Sequence, residues 1–204
     1  MRTLLVALCL SWFVLPAYAG DIMATVTKLH LSKEDLVKIG EMVYHAKGKN
    51  TCLYCHGEGG HDGNQAGAAD LRHPRTWRSY QALGGDEALA ANKEEFLKKM
   101  ETALVYLIRN GATTWNTRFA KKYKDIHYDW SKVTVPDKAN KYNNMMKGLT
   151  TGPMRKQLKK VQKWLAKQGK KVKLREARDV AAVAALEYVK TLDDGSEKGG
   201  VFNK

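Results

Sequence analysis

Cysteine is scarce in this chain, three in 204 residues, which is too few for a disulfide-stapled scaffold. Four prolines and 17 glycines exclude a collagenous or proline-rich chain. Carboxylates are short too, with Asp+Glu 21 against Lys+Arg 35 and a formal net charge of +14. A partner of acidic character therefore has to be considered. After the first twenty residues no apolar run approaches the ~20 residues that a bilayer span needs. No internal repeat and no convincing strand ladder is present. What remains is 44% hydrophobic and 27% charged, ordinary material for a globular core.

The N-terminus has an address-like pattern. Arg2 precedes an apolar run from Leu4 to Leu15, then Pro16 and Ala17-Tyr18-Ala19. A positive start, a short apolar stretch and an A-x-A site predict a secretory signal peptide over residues 1–19, cleaved after Ala19. The alternative is an uncleaved anchor, for which the apolar run is short. Cleavage would remove Cys9 and leave Cys52 and Cys55 in an exported, periplasmic or otherwise secreted, soluble protein with no transmembrane anchor.

Residues 20–192 read as one all-α domain. Ser32 with Asp35 starts a helix to Ala46, carrying Leu36, Ile39 and Val43 at helical spacing. Asn92 with Glu95 opens a second helix, Lys93 to Arg109, which Asn110-Gly111 ends. After Pro153, Met154, Leu158, Val161 and Leu165 define a third, closed by Gly169. A last helix runs from about Leu174 to Leu192. Residues 50–67 read as loop, and 112–153 as an irregular aromatic insertion broken by Pro136. Residues 193–204 are expected to form a mobile polar tail.

One pentapeptide carries chemistry. Cys52-Leu53-Tyr54-Cys55-His56 is C-x-x-C-H, the attachment signature of c-type haem. Two thiols three positions apart can add to the two vinyl groups of one porphyrin, and the adjacent histidine can lie under the iron as proximal ligand. Structural zinc would want a second cysteine pair, which is missing. A thioredoxin-like dithiol would want a βαβ pattern, also missing, and a bare disulfide would leave His56 unexplained. One covalently bound haem c is therefore expected on Cys52, Cys55 and His56.

The chain resembles the class I c-type cytochromes. Gly40 and Tyr44 before the Cys52–His56 motif match the family's first helix, and Tyr188 in Ala182-Val183-Ala184-Ala185-Leu186-Glu187-Tyr188-Val189 is similar to the aromatic of its last helix. The resemblance covers about residues 32–111 and 174–192. It implies class I cytochrome c-like helices around one covalent haem, with the first and last helices crossing at a glycine and with a long loop or helix insertion before the C-terminal helices. It also implies a carbonyl that fixes the proximal histidine's tautomer. Pro74 is the candidate for that carbonyl, unless it is an ordinary turn proline.

For the distal ligand the family uses a methionine soon after an Ile-x-x-Gly pattern like Ile108-Arg109-Asn110-Gly111. Here Ala112-Thr113-Thr114-Trp115-Asn116 follows, without methionine. Met154, in Thr151-Gly152-Pro153-Met154, is the leading substitute, although it also begins the third helix's apolar stripe. Met145, Met146 and then His127 are the next candidates, and an open iron is a further alternative.

The resemblance implies an electron carrier between periplasmic redox partners rather than a catalyst. The alternative is a haem-containing subunit or enzyme of inorganic iron or sulfur oxidation, with the haem accepting electrons directly from substrate. In the third reading the insertion binds a partner protein and the haem is only its relay. The basic charge and distal segment resemble those of soluble cytochromes of acidophilic iron-oxidising bacteria. From Lys147 to Arg175 there are eleven Lys/Arg and no Asp/Glu. That run reads as a solvated helix face, a docking surface for an acidic redox protein, or a means of staying soluble in acid. Nucleic acid is not an expected partner.

Overall fold

The computed structural model describes residues 20–65, 67–111, 118–129, 131, 133, 148–196 and 200–202. The expected signal peptide, Met145 and Met146 lie outside the described residues. All regular structure among the described residues is helical, as the apolar periodicity predicts. No helix among them is long and apolar enough to cross a membrane.

The four helices expected from sequence are present. They are α2 (Lys33–Tyr44), α6 (Lys93–Asn110), α8 (Gly152–Lys167) and α9 (Leu174–Lys190). Ser32 caps α2 by accepting from the Asp35 amide at 3.1 Å, and Asn92 caps α6 by accepting from the Glu95 amide at 3.1 Å. Each oxygen satisfies an amide that the first helical turn leaves without a partner. Around them stand α1 (Gly20–Lys28), α3 (Cys52–His56), α4 (Arg78–Ala82), α5 (Gly85–Ala91) and the short α7 (Ala120–Lys122). None of these is separately legible as a period. Most are too short to show one, and α1 adjoins the apolar leader.

The core is built on α9. Its Ala177, Val180, Ala181, Ala182 and Ala184 are fully buried, and their small side chains let other helices come close. The closest approach is at Gly40 of α2, where a Cβ would stand 2.0 Å from the Ala184 carbonyl oxygen and 2.6 Å from Tyr188 Cβ. The meeting of Gly40 with Tyr188 is the contact the paired pattern predicts. Ile39 and Val43 are wholly buried in the same core. On the other side of α9, Asp179 is ion-paired with Arg109 of α6 and accepts from Thr25 Oγ1 of α1 at 3.3 Å. Lys190 of α9 binds Glu101 at 2.7 Å and Glu187 at 2.6 Å. Burial opposes the charge on Lys190, but the two carboxylates outweigh it and its pKa is raised.

The apolar stripe of α8 (Met154, Leu158, Val161 and Leu165) enters the same core. Gln157 donates from Nε2 to the Met42 carbonyl, fastening α8 to α2. The aromatic insertion is in part a packed layer. Phe119, Tyr123 and Ile126 are buried against Ala103 and Tyr106 on the outer side of α6, with Phe119 and Tyr123 rings 4.8 Å apart.

The C-terminal segment differs from the mobile polar tail expected. The buried Asp193 carboxylate accepts from the Val201 and Phe202 amides at 2.8 and 2.9 Å and from Gly195 at 3.2 Å. These bonds fold residues 200–202 back, so that Val201 is 1% exposed. The segment's composition is polar, but its two apolar residues sit where one buried carboxylate can turn them inward.

Gly40→Ala tests the helix contact. Alanine is the better helix former by ~1 kcal/mol, yet here its methyl would meet backbone. The expected result is a net loss of about 2 kcal/mol or more in chemical denaturation.

Candidate functional site

The C-x-x-C-H segment forms a helical turn of its own, α3, inside the stretch that reads as loop. Thr51 caps it, accepting from the Tyr54 amide at 3.3 Å while donating from Oγ1 to the Gly48 carbonyl at 2.8 Å. Gly57 ends the turn at φ 78°, and its amide donates to the Leu53 carbonyl at 2.9 Å. Helical geometry puts Cys52 and Cys55 on one face and His56 immediately beyond them.

The loop after α3 folds back onto it. Tyr54 accepts from the Asn64 amide at 2.8 Å, and Gly60 accepts from the Leu71 amide at 2.8 Å. A Cβ on Gly57 would stand 1.9 Å from the His61 carbonyl oxygen, and one on Gly63 2.1 Å from that of Cys55. Bare backbone at 57 and 63 is therefore what permits the fold-back. Tyr44 of α2, buried beside Tyr188 with ring centroids 5.2 Å apart, donates from its hydroxyl to the Gly57 carbonyl at 2.6 Å. The turn bearing the cysteines is thus tied to the α2–α9 crossing. Burial holds the Tyr44 phenol protonated well above its ordinary range.

His56 is half-buried, and its Nδ1 lies 2.8 Å from the Ala69 carbonyl oxygen. Burial lowers its pKa, which favours the neutral ring. A neutral imidazole whose Nδ1–H donates to a carbonyl has its Nε2 lone pair left for a metal. The carbonyl is Ala69's and not Pro74's, a correction to the expectation from the family. Pro74 instead opens a 3₁₀ turn, Pro74–Thr76, and its carbonyl accepts from the Trp77 amide at 3.1 Å. Proline at the first position of a helical turn is the ordinary turn use.

An open cleft of about 260 Å³ lies beside Cys55 and His56, lined also by His61, Asp62, Gln65 and Asp70. Cys52 and Cys55 are free thiols. Burial, and then the neighbouring Cys55, push the Cys52 thiol up to about 12, and burial raises Cys55. These are not the depressed thiols of a dithiol catalyst, which acts through thiolate. Zinc also fits poorly, because no group of three His, Cys, Asp or Glu able to hold a metal ion occurs among the described residues. Two thiols on one turn, with an adjacent imidazole whose Nδ1 faces a carbonyl and leaves Nε2 open, are groups that together could hold a metal-bearing cofactor.

Met154 is 1% exposed in the first turn of α8. The preceding Pro153 approaches the loop before α3, with its Cγ 3.1 Å from a Cβ built on Gly48. The same burial is what the α8 stripe requires by itself. Of the runners-up, Met145 and Met146 lie outside the described residues and His127 is exposed. The fold-back also brings His61 into the cleft, with Nδ1 2.5 Å from its own neighbour Asp62. Neither His61 nor Ala69 carries a signal in the sequence, and a backbone carbonyl such as Ala69's can come from any residue type.

No family model, curated protein or solved structure matches this chain.

Tyr44→Phe keeps the ring in the helix crossing and removes only the hydroxyl bond to Gly57. Thermal or chemical denaturation should show a loss of about 1 kcal/mol.

Proposed function

We propose that the protein is an exported monohaem c-type cytochrome that carries single electrons between redox partners. The observation that carries this reading is the local geometry at 52–56. Cys52 and Cys55 lie on one helical turn, and His56 Nδ1 faces the Ala69 carbonyl, which leaves Nε2 free to bind a metal. Cys52 and Cys55 would hold a haem through thioethers, and His56 would bind its iron. Bound there, that group supplies one-electron cycling between Fe(II) and Fe(III). The residues around it hold the imidazole's tautomer and orientation through Ala69. They also anchor the turn through Tyr44 and Thr51. Met154 is proposed as the distal ligand, supported by the approach of Pro153 to the loop at Gly48.

The docking partner is proposed to be an acidic redox protein. The outward face of α8 exposes Arg155, Lys156, Lys159, Lys160, Lys163 and Lys167, and none of them pairs with a carboxylate among the described residues. Like charges at i,i+4 each cost a helix about 0.2–0.5 kcal/mol, which the buried stripe of α8 offsets. Because Leu158, Val161 and Leu165 are committed to the core, the helix offers charge to a partner and not an insertable apolar face. Complementary charge raises encounter rates by ~10–10³ without demanding a long-lived complex.

Purified from a host that exports it and attaches haem, the protein should be coloured and should keep its pigment in acidified acetone. Cys52→Ala with Cys55→Ala should lose the pigment, and release of the wild-type pigment would overturn the reading. A weak ferric band near ~700 nm that disappears in Met154→Leu would mark methionine ligation.

The rate of electron exchange with an acidic redox protein should fall steeply as salt is raised, because screening shortens the reach of the field. Lys156→Glu with Lys160→Glu should lower the low-salt rate and flatten that dependence. Unchanged kinetics in stopped-flow would remove α8 as the docking face.

A further inference from the structure

The C-terminal turn has an attachment that packing alone does not require. Residues 69–71 are pinned at three successive backbone points. The Ala69 carbonyl accepts from His56 Nδ1 at 2.8 Å, the Asp70 carbonyl accepts from Trp77 Nε1 at 2.8 Å, and the Leu71 amide donates to the Gly60 carbonyl at 2.8 Å. The Asp70 carboxylate closes the turn further by accepting from the Arg72 amide at 3.0 Å and from its guanidinium at 2.6 Å.

The middle pin is the one that leads on to the C-terminal segment. Trp77 is 5% exposed, and its ring lies 5.8 Å from that of Phe202. Phe202 stays there because its amide and that of Val201 bind Asp193, and because Lys190 Nζ stands 5.8 Å from its ring centre. The same segment reaches the loop twice more. The Asp194 amide donates to the Arg72 carbonyl at 3.4 Å, and Ser196 Oγ is 3.3 Å from His73 Nδ1.

We propose that Asp193, with the Val201 and Phe202 it holds, is a positioning element for His56: by holding Trp77 on the Asp70 carbonyl, it fixes where the Ala69 carbonyl stands beneath the imidazole. The inference rests on the haem reading, because only a ligating His56 gives that placement a functional consequence. A histidine that donates firmly from Nδ1 is a more basic ligand at Nε2 and favours the more highly charged metal. Loosening the carbonyl therefore favours the reduced state and raises the potential. Trp77 and Phe202 touch neither His56 nor the cysteines in this chain of contacts, and they act through Asp70.

The test uses the full-length protein as exported, with Trp77→Phe, Phe202→Ala and Asp193→Asn compared with wild type. Two readouts are taken: the midpoint potential, and the exchange of the His56 Nδ1 proton with solvent by NMR. Trp77→Phe keeps an aromatic ring and removes one donor, so it should raise the potential and speed proton exchange roughly five- to tenfold. Phe202→Ala should shift both in the same direction. If Asp193→Asn fails to fold, the other two variants still decide the matter. Variants that merely melt earlier, with potential and exchange as in wild type, overturn the positioning role. Wild-type protein without thioether-bound haem overturns the functional reading instead, and the exchange measurement then judges the positioning element by itself.

Discussion

The close approach of α2 and α9 at Gly40 is the constraint on which the rest of the structure depends. With no side chain at that point, the Ala184 carbonyl and Tyr188 Cβ come within distances that no Cβ could share. Everything that surrounds the C-x-x-C-H turn is then referred to this crossing. Tyr44, one turn further along α2, packs on Tyr188 and reaches the Gly57 carbonyl at the end of α3. A displacement of one helix on the other would be felt at the cysteines within a few bonds. Native interiors are packed too densely to absorb such a shift locally.

The site is held by backbone more than by side chains. Loop 57–71 folds onto α3 through Asn64 to Tyr54 and Leu71 to Gly60, and it brings the Ala69 carbonyl under His56. Such a loop has little apolar burial of its own, so its order comes from what it is tied to. Those ties lead to Tyr44 on one side and to Trp77 with the C-terminal turn on the other. The proposed ligand therefore stands between two anchors, both of which lead back to the C-terminal end of α9 and the residues just after it.

Charge is distributed unevenly over this frame. The partly buried ion pairs of Arg109 with Asp179 and of Lys190 with Glu101 join α6 to α9. They belong to the architecture, since breaking one leaves an uncompensated charge largely shielded from water. The excess positive charge is carried outside, on α8 and the segment after it, where no carboxylate competes for it. A net charge that is unpaired and exposed on one helix contributes little to folding and much to long-range attraction.

Much of this was legible in the sequence, and the parts that were not share a physical reason. Ser32 and Asn92 announced their helices because a cap is a local bond between residues three apart. The stripes of α2, α6, α8 and α9 were visible because burial imposes a period. The pentapeptide at 52–56 could be singled out because the spacing of two thiols and an imidazole is a property of the chain itself. Only the tertiary structure decided that Ala69, and not Pro74, faces His56. It likewise decided that His61 enters the cleft and that Val201 and Phe202 dock although their segment is polar. Those outcomes depend on backbone groups, which every residue carries alike, and on contacts between positions that only folding brings together. Sequence alone determined which residues are able to act, and the fold determined which of them meet.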